Sequence, residues 1–229
     1  MATFVLIHAA ATDSSCWHLV SDAVRRRGHD VIAVDLPVDN DSADLSDYAA
    51  TVLDAVGEYR DVVVVGHSFG GFTAPLVAHG LGANLLVMLQ AQIPQPGETP
   101  GQWWSNTGHA EARRRQDEAD GRDPDAPLDP LEIMLHDTPV TLAKEMLAHQ
   151  RDQSATPFEK PWPLPEWPTI PTRVLVARDD RFFPLEFMRR ITRERLRIEP
   201  DVMPGDHCPM LGHPEELANR LVAYWNEVR

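Results

Sequence analysis

Cysteine is scarce in this chain: two residues, Cys16 and Cys208, among 229. A pair can form one bridge at most, so no disulfide framework exists and nothing demands an oxidising compartment. Positive charge is also in short supply. Lys and Arg number 21 against 35 Asp and Glu, a net charge of −14. That balance argues against nucleic acid or an anionic membrane as partner, and it points weakly to a neutral small molecule. No apolar run reaches the length of a membrane span. Phe4-Val5-Leu6-Ile7 followed by Ala9-Ala10-Ala11 superficially resembles a signal peptide. The apolar stretch is too short for one and no basic residue precedes it, so it reads as a strand and the expected location is the cytoplasm. Internal repeats and low-complexity tracts are absent as well.

What the chain does have is an ordinary hydrophobic share, 43%, in a length that suits one domain with an inserted lobe. Short Val/Leu/Ile runs alternate with helix-like segments. The pattern predicts strands over Thr3–His8, Asp30–Val34, Val62–Val65, Leu85–Leu89, Arg173–Ala177 and Arg197–Met203. Between them it predicts helices over Trp17–Arg27, Leu45–Tyr59, Phe72–His79, Leu185–Arg195 and Glu215–Val228. Continuous rather than alternating apolar strands imply burial on both faces. The expected class is therefore α/β, with a mostly parallel sheet wrapped by helices on both sides. The rhythm breaks between Gln92 and Pro171, a stretch rich in Trp and Pro with a helical candidate over Val140–Arg151. It is too long for a connecting loop and reads as an inserted cap over 92–171, with the core formed by 1–91 and 172–229. The run Arg113-Arg114-Arg115 is followed at once by Gln116-Asp117-Glu118, so it reads as a solvated helix face rather than an anion site.

The most informative segment is Val62-Val63-Val64-Val65-Gly66-His67-Ser68-Phe69-Gly70-Gly71. A β-branched run enters a Gly-x-Ser-x-Gly pentad and a helix follows. A chain with this pattern forces a serine onto a sharp strand-to-helix turn, where its flanking residues must be small. The hydroxyl then stands clear of the sheet at the N-terminus of a helix, which stabilises a developing negative charge. Ser68 is the candidate nucleophile.

A serine hydroxyl needs a base to take its proton, and the base needs a carboxylate to orient it. For this strand–turn–helix arrangement the chain order is serine, acid, histidine. The acid candidates are Asp179 and Asp180, directly after Val174-Leu175-Val176-Ala177. Asp180 is preferred because Pro184 opens the next helix and shortens the loop; Asp179 becomes a turn residue. The histidine candidate is His207, in Pro204-Gly205-Asp206-His207-Cys208-Pro209-Met210. Of the other nine histidines, His67 is expected to point away along the turn, and His8 to support the loop after the first strand. The rest read as packing or surface residues. Two backbone N–H donors are needed for the tetrahedral intermediate. Phe69 supplies one and the loop His8-Ala9-Ala10-Ala11 the other, with Ala10 as the choice.

With these residues placed, the chain resembles the α/β-hydrolase superfamily over nearly its whole length. More narrowly it resembles the branch of plant methylesterases, hydroxynitrile lyases and bacterial esterases. The resemblance rests on Phe4–His8 with Trp17, on Gly28–Leu36, on Val65–Gly71, and on Gly205-Asp206-His207 with Pro209-Met210-Leu211 and Pro214. It implies Ser68 as nucleophile, His207 as base, Asp180 as acid, the Ala10 and Phe69 amides as oxyanion hole, and no cofactor or metal. The branch usually carries His-Gly in the first loop, where this chain has His8-Ala9. Hydroxynitrile lyases carry a lysine directly after the catalytic histidine and a threonine after the first-strand histidine. Here those places hold Cys208 and Ala9, which favours ester hydrolysis over lyase chemistry. Cys208 reads as a small packing residue near the pocket.

The expected function is a serine carboxylesterase cleaving a small apolar or aromatic ester through an acyl-enzyme. Ala9, Trp103, Trp104, Phe182 and Cys208 are the expected substrate-contacting residues, with Phe183 beside them. Two rivals stand beside it: carbon–carbon bond chemistry on the same scaffold, and a small-molecule-binding, receptor-like protein. A histidine base implies that turnover falls as pH drops through roughly 6 to 7.

Overall fold

Six strands form one all-parallel sheet in the order β2-β1-β3-β4-β5-β6. They are β1 (Thr3–Ile7), β2 (Asp30–Val34), β3 (Val62–His67), β4 (Leu85–Leu89), β5 (Thr172–Ala177) and β6 (Asp201–Met203). The computed structural model describes all 229 residues. The apolar runs explain why these segments pair. Alternate side chains of each strand enter opposite faces, and each face is covered by helices, so both sets must be apolar.

Val5, Ile7, Val62, Val64, Leu86, Met88, Val174 and Val176 enter one core. There they meet α2 (Leu45–Val56), α3 (Gly70–Leu81) and α9 (Leu185–Leu196). Phe4, Leu6, Val63, Val65, Leu85, Val87, Leu89 and Leu175 enter the other. That side is covered by α1 (His18–Arg26), the short α10 (Pro209–Gly212) and α11 (Pro214–Val228).

The strand order places the topological switch between β1 and β3, because β1 leads outward to β2 on one side while β3 starts the run on the other. A parallel sheet opens a crevice at the carboxyl ends of the two strands flanking such a point. The loop after β1 and the Ser68 turn after β3 both lie there.

Between β4 and β5 the chain builds no strand. It forms α4 (Pro100–Thr107), α5 (His109–Ala119), α6 (Pro130–Ile133), α7 (Val140–Ala148) and α8 (Thr156–Glu159). The sequence reading missed α4, although its start was written in local chemistry. Thr99 and Gln102 form a reciprocal capping box with Pro100 in the first turn.

Element ends differ from expectation by three or more residues in three further places, one of them the helix predicted over Val140–Arg151, which ends at Ala148. The helix predicted to reach Tyr59 stops at Val56, where Gly57 turns with φ 60°. The strand predicted from Arg197 begins only at Asp201; Arg197 adopts φ 61° to end α9, and Pro200 supplies no ladder donor. On α5 the arginine run is ion-paired as a helix face should be. Arg115 pairs with Glu111 and Arg114 with Glu118 and Asp125, while Arg113 turns inward to the buried Asp117.

Candidate active site

Ser68 follows β3 with φ 51°, a left-handed conformation that a residue with a side chain adopts only under constraint. The constraint comes from packing on both sides of the turn. A Cβ placed on Gly66 would lie 2.5 Å from the Ala74 Cβ, and one on Gly70 would lie 2.7 Å from the His8 carbonyl oxygen. Only glycine fits either position. The Ser68 carbonyl accepts from the amides of Gly71 and Gln92, both at 3.0 Å. The hydroxyl is thereby held at the mouth of α3.

His207 comes from the turn after β6, and its ring reaches both partners named from the sequence. Nε2 lies 3.0 Å from Ser68 Oγ, and Nδ1 lies 2.7 Å from Asp180 Oδ2. Asp180 is buried, and its carboxylate is fully engaged. Oδ1 accepts from the amides of Phe182 (2.7 Å) and Phe183 (3.0 Å), and Oδ2 accepts from Gln90 Nε2 at 2.6 Å. A carboxylate that only accepts fixes the imidazole with its hydrogen on Nδ1. That leaves Nε2 free to take the Ser68 proton. Asp179, the alternative acid, faces away; it pairs with Arg178 at 3.0 Å, which holds its carboxyl below the usual range.

The rest of the turn explains why the ring sits there. Asp206 is buried, and its Oδ2 accepts from the Asp137 amide and from Thr138 Oγ1, each at 2.9 Å. Its Oδ1 accepts from the Cys208 amide at 2.8 Å. His67 differs from expectation. Instead of pointing away, it lies beside His207 with ring centroids 5.1 Å apart, and its Nε2–H donates to the His207 carbonyl at 2.8 Å. Complete burial, with the neighbouring His207 second, pushes its pKa down to about 3, so the ring stays neutral.

The loop after β1 is braced from beneath. His8 Nδ1–H donates to the Ala9 carbonyl at 2.8 Å, while Nε2 accepts from the Leu36 amide at 3.0 Å. Burial lowers its pKa and keeps it neutral. Ala11, with φ 55°, is tied to residues of the helical segment: its amide donates to Gln153 Oε1 and its carbonyl accepts from the Arg151 amide, both at 3.0 Å. The amides of Ala10 and Phe69 take part in none of these turn and loop hydrogen bonds.

Ser68 and His207 open into a cavity of about 370 Å³. Of the residues expected to contact substrate, Ala9, Trp104, Phe182 and Cys208 line it. Trp103 does not. Its indole is wholly buried among Trp104, Phe183 and Phe187, and Nε1 donates to the Ile93 carbonyl at 3.1 Å. A ring that anchors the core at one edge is not available at the wall. Phe183 is likewise buried behind the wall, with its ring against the His207 imidazole at 5.1 Å.

No Lys, Arg, Asp or Glu lines the cavity, so its surface is uncharged although the chain is acidic. Cys16 and Cys208 are both buried free thiols. Burial pushes the Cys208 thiol well up, which keeps it protonated and leaves it a packing role. A larger groove of about 900 Å³ lies on the outer side of the Asp179–Arg181 turn, but its lining is polar and excludes Ser68.

Several contributors escaped the sequence reading. Gln90 orients Asp180, Asp206 ties the histidine turn to the 134–138 segment, and Phe158 stacks on Phe69 at 4.4 Å. Gln90 carried a signal, since a polar residue directly after a fully apolar strand sits where parallel sheets build sites. Phe158 carried none, because its contact depends on how a distant helix folds back.

Comparison with known proteins fits this geometry. The profile of the alpha/beta hydrolase family matches residues 4–220. Norfluorocurarine synthase 1 of Strychnos sp is 24% identical over 95% of this chain and 93% of its own length. Methylesterase 9 of Arabidopsis thaliana is 25% identical over 97% of both chains. Among solved structures, polyneuridine aldehyde esterase superposes with a TM-score of 0.78 at 20% identity, covering 98% of this chain and 99% of its own. No helix is long and apolar enough to cross a membrane.

Proposed function

We propose that this chain, which belongs to the alpha/beta hydrolase family, is a serine-dependent carboxylic ester hydrolase acting on a small, uncharged ester. One line of contacts carries the proposal: Ser68 Oγ to His207 Nε2 at 3.0 Å, and His207 Nδ1 to Asp180 at 2.7 Å, at the edge of an uncharged cavity. The likeness to an esterase over 97% of the chain supports the same chemistry.

In this mechanism His207 Nε2 takes the Ser68 proton as Oγ bonds to the ester carbonyl carbon. The oxygen that becomes negative is met by the amides of Phe69 and Ala10 at the mouth of α3. Collapse of the intermediate expels the alcohol, which leaves with the proton from His207. Water then attacks the acyl-enzyme while His207 takes its proton; collapse of the second intermediate returns that proton to Ser68 Oγ and releases the acid. Asp180 holds the imidazole tautomer throughout. Residues 92–171 serve as the cap that shapes the acyl and alcohol sites.

Active-site labelling with a fluorophosphonate, followed by peptide mapping, tests the nucleophile. Label on Ser68, together with release of p-nitrophenol from simple aryl esters that is lost in Ser68→Ala, is the expected result. Absence of both overturns the proposal.

A relative named as a synthase over 95% of the chain favours a second reading, chemistry other than ester hydrolysis on the same Ser-His-Asp set, with carbon–carbon bond cleavage as the candidate reaction. Turnover of a cyanohydrin or diketone without any ester hydrolysis selects it. Tight small-molecule binding with negligible turnover selects the receptor-like alternative.

A further inference from the structure

We infer that Gln92 is a specificity residue of the cavity: its side-chain amide recognises a second, uncharged oxygen on the substrate, close to the reacting carbonyl. The preferred substrates are then neutral oxygenated esters rather than plain alkyl ones. This rests on the ester-hydrolase reading and narrows its substrate class.

Gln92 follows β4 at the carboxyl edge of the sheet, and its backbone is clamped to the serine turn. Its amide donates to the Ser68 carbonyl at 3.0 Å. Its own carbonyl packs so tightly that a Cβ on Gly71 would lie 2.1 Å away. The side chain therefore starts from a fixed point beside the nucleophile. It lies on the cavity wall, is only 1% exposed, and its Nε2 has no hydrogen-bond partner. A buried amide without a partner is unfavourable and calls for an explanation.

Gln90, two residues earlier, shows the contrast. Its Nε2 donates to Asp180 and to the Phe183 carbonyl, and its Oε1 accepts from the Ala177 amide. The same side chain is spent on structure there and left unpaired at Gln92. Among the other polar groups on the wall, Thr12 Oγ1 donates to the Ala9 carbonyl, and Ser68 and His207 face each other; His67 Nε2 donates to the His207 carbonyl while its Nδ1, an acceptor, is unpaired, so beyond the Ala10 and Phe69 amides Gln92 Nε2 is the unpaired donor. Gln150 lies on the exposed side of the wall, where water satisfies it.

No ionic group on the wall can match a charged substituent, so the complement of this amide is a neutral acceptor such as an ether or keto oxygen. A substrate lacking it leaves the amide unpaired in the closed complex. That is the condition under which a polar group discriminates strongly.

The test compares p-nitrophenyl pentanoate with its two ether isosteres, p-nitrophenyl ethoxyacetate and p-nitrophenyl 3-methoxypropanoate, in the wild type and in Gln92→Met. Comparing the two enzymes on the same esters cancels intrinsic reactivity. The ether-to-pentanoate ratio of kcat/KM is expected to fall about tenfold in Gln92→Met for at least one isostere. Gln92→Met is also expected to unfold at the same temperature or higher, because it removes an unpaired amide. An unchanged ratio for both isosteres overturns the inference. So does a fall in unfolding temperature of more than about 3 °C, which assigns the amide a structural partner.

If the wild type hydrolyses none of the three esters, the ester-hydrolase reading fails by itself. Calorimetric binding of the corresponding N-phenyl amides to Ser68→Ala, with and without Gln92→Met, then decides the Gln92 assignment. Preference for an ether amide that is lost in the double variant sustains it, and equal binding of all three overturns it.

Discussion

The sheet and the helical segment over 92–171 are held by different means. Every central strand is apolar at consecutive positions and sits between two cores, so its place is specified many times over. The helical segment sends Trp103, Trp162 and Leu135 into the cores, and is otherwise attached by polar and aromatic ties that join residues distant in sequence. Trp162 Nε1 donates to the Phe72 carbonyl at 3.0 Å, and the buried Arg195 and Glu98 form an ion pair. Asp206 accepts from Asp137 and Thr138, and Phe158 stacks on Phe69.

The proposed reacting groups Ser68, Asp180 and His207 all stand at strand ends, while much of the cavity wall, including Met134, Leu135, Met146 and Leu147, comes from the segment. This division teaches that rate and substrate fit are separable: damage to the strand-end turns should lower kcat, and damage to the segment should raise KM.

The sharpest way to break that division is Ser68→Ala. Ester turnover should fall by about 10⁵–10⁶-fold with the unfolding temperature nearly unchanged, measured as kcat on an aryl ester beside a thermal melt. Substantial residual turnover would remove Ser68 from the chemistry. Asp180→Asn comes next, with a loss of about 10³–10⁴-fold in kcat and little change in KM, because an amide in that place no longer fixes the tautomer. Asp206→Ala tests the boundary between the two regions. It strands three donors and loosens the histidine turn, so about 2–3 kcal/mol of stability and about tenfold in kcat/KM should be lost together. A loss in kcat alone, with stability intact, would place Asp206 among the reacting groups.

Phe158→Ala belongs wholly to the segment. It should raise KM about three- to tenfold and leave kcat within about twofold. A further effect is expected from pH acting on the core. His67 titrates at about 3 in the folded chain against about 6.5 for an exposed histidine, so the unfolded state binds the extra proton. Its contribution to stability is complete above about pH 6.5 and is lost progressively as pH falls toward 3. Burial lowers the His8 pKa as well and adds in the same direction. Denaturant melts at pH 7 and pH 5 should show lower stability at pH 5, and a shallower pH dependence in His67→Gln.

Much of this was readable from residue order. The Val62–Val65 run, the pentad around Ser68 and the two aspartates after β5 are local patterns, and each marks a strand end where this sheet type places its chemistry. Choosing Asp180 over Asp179 was possible from the position of Pro184. The tryptophans marked the helical segment but not its wall. Trp103 and Trp104 are adjacent in sequence, yet one ring is a core anchor and the other faces the cavity. Neighbouring positions on a helix point about 100° apart, and composition does not say which of them faces the site.

The chain itself dictated the alternation of buried strands and helices, the strained turn at Ser68 with its flanking glycines, and the candidates proposed as nucleophile, acid and base. Those depend on backbone geometry within a few residues of one another. Tertiary structure alone decided that His67 turns back to hold the His207 carbonyl. It alone decided that Gln90 is spent on Asp180 while Gln92 is left unpaired, and that Phe158 closes over Phe69. Each of these joins atoms from segments far apart in the chain, and only packing determines which segments meet.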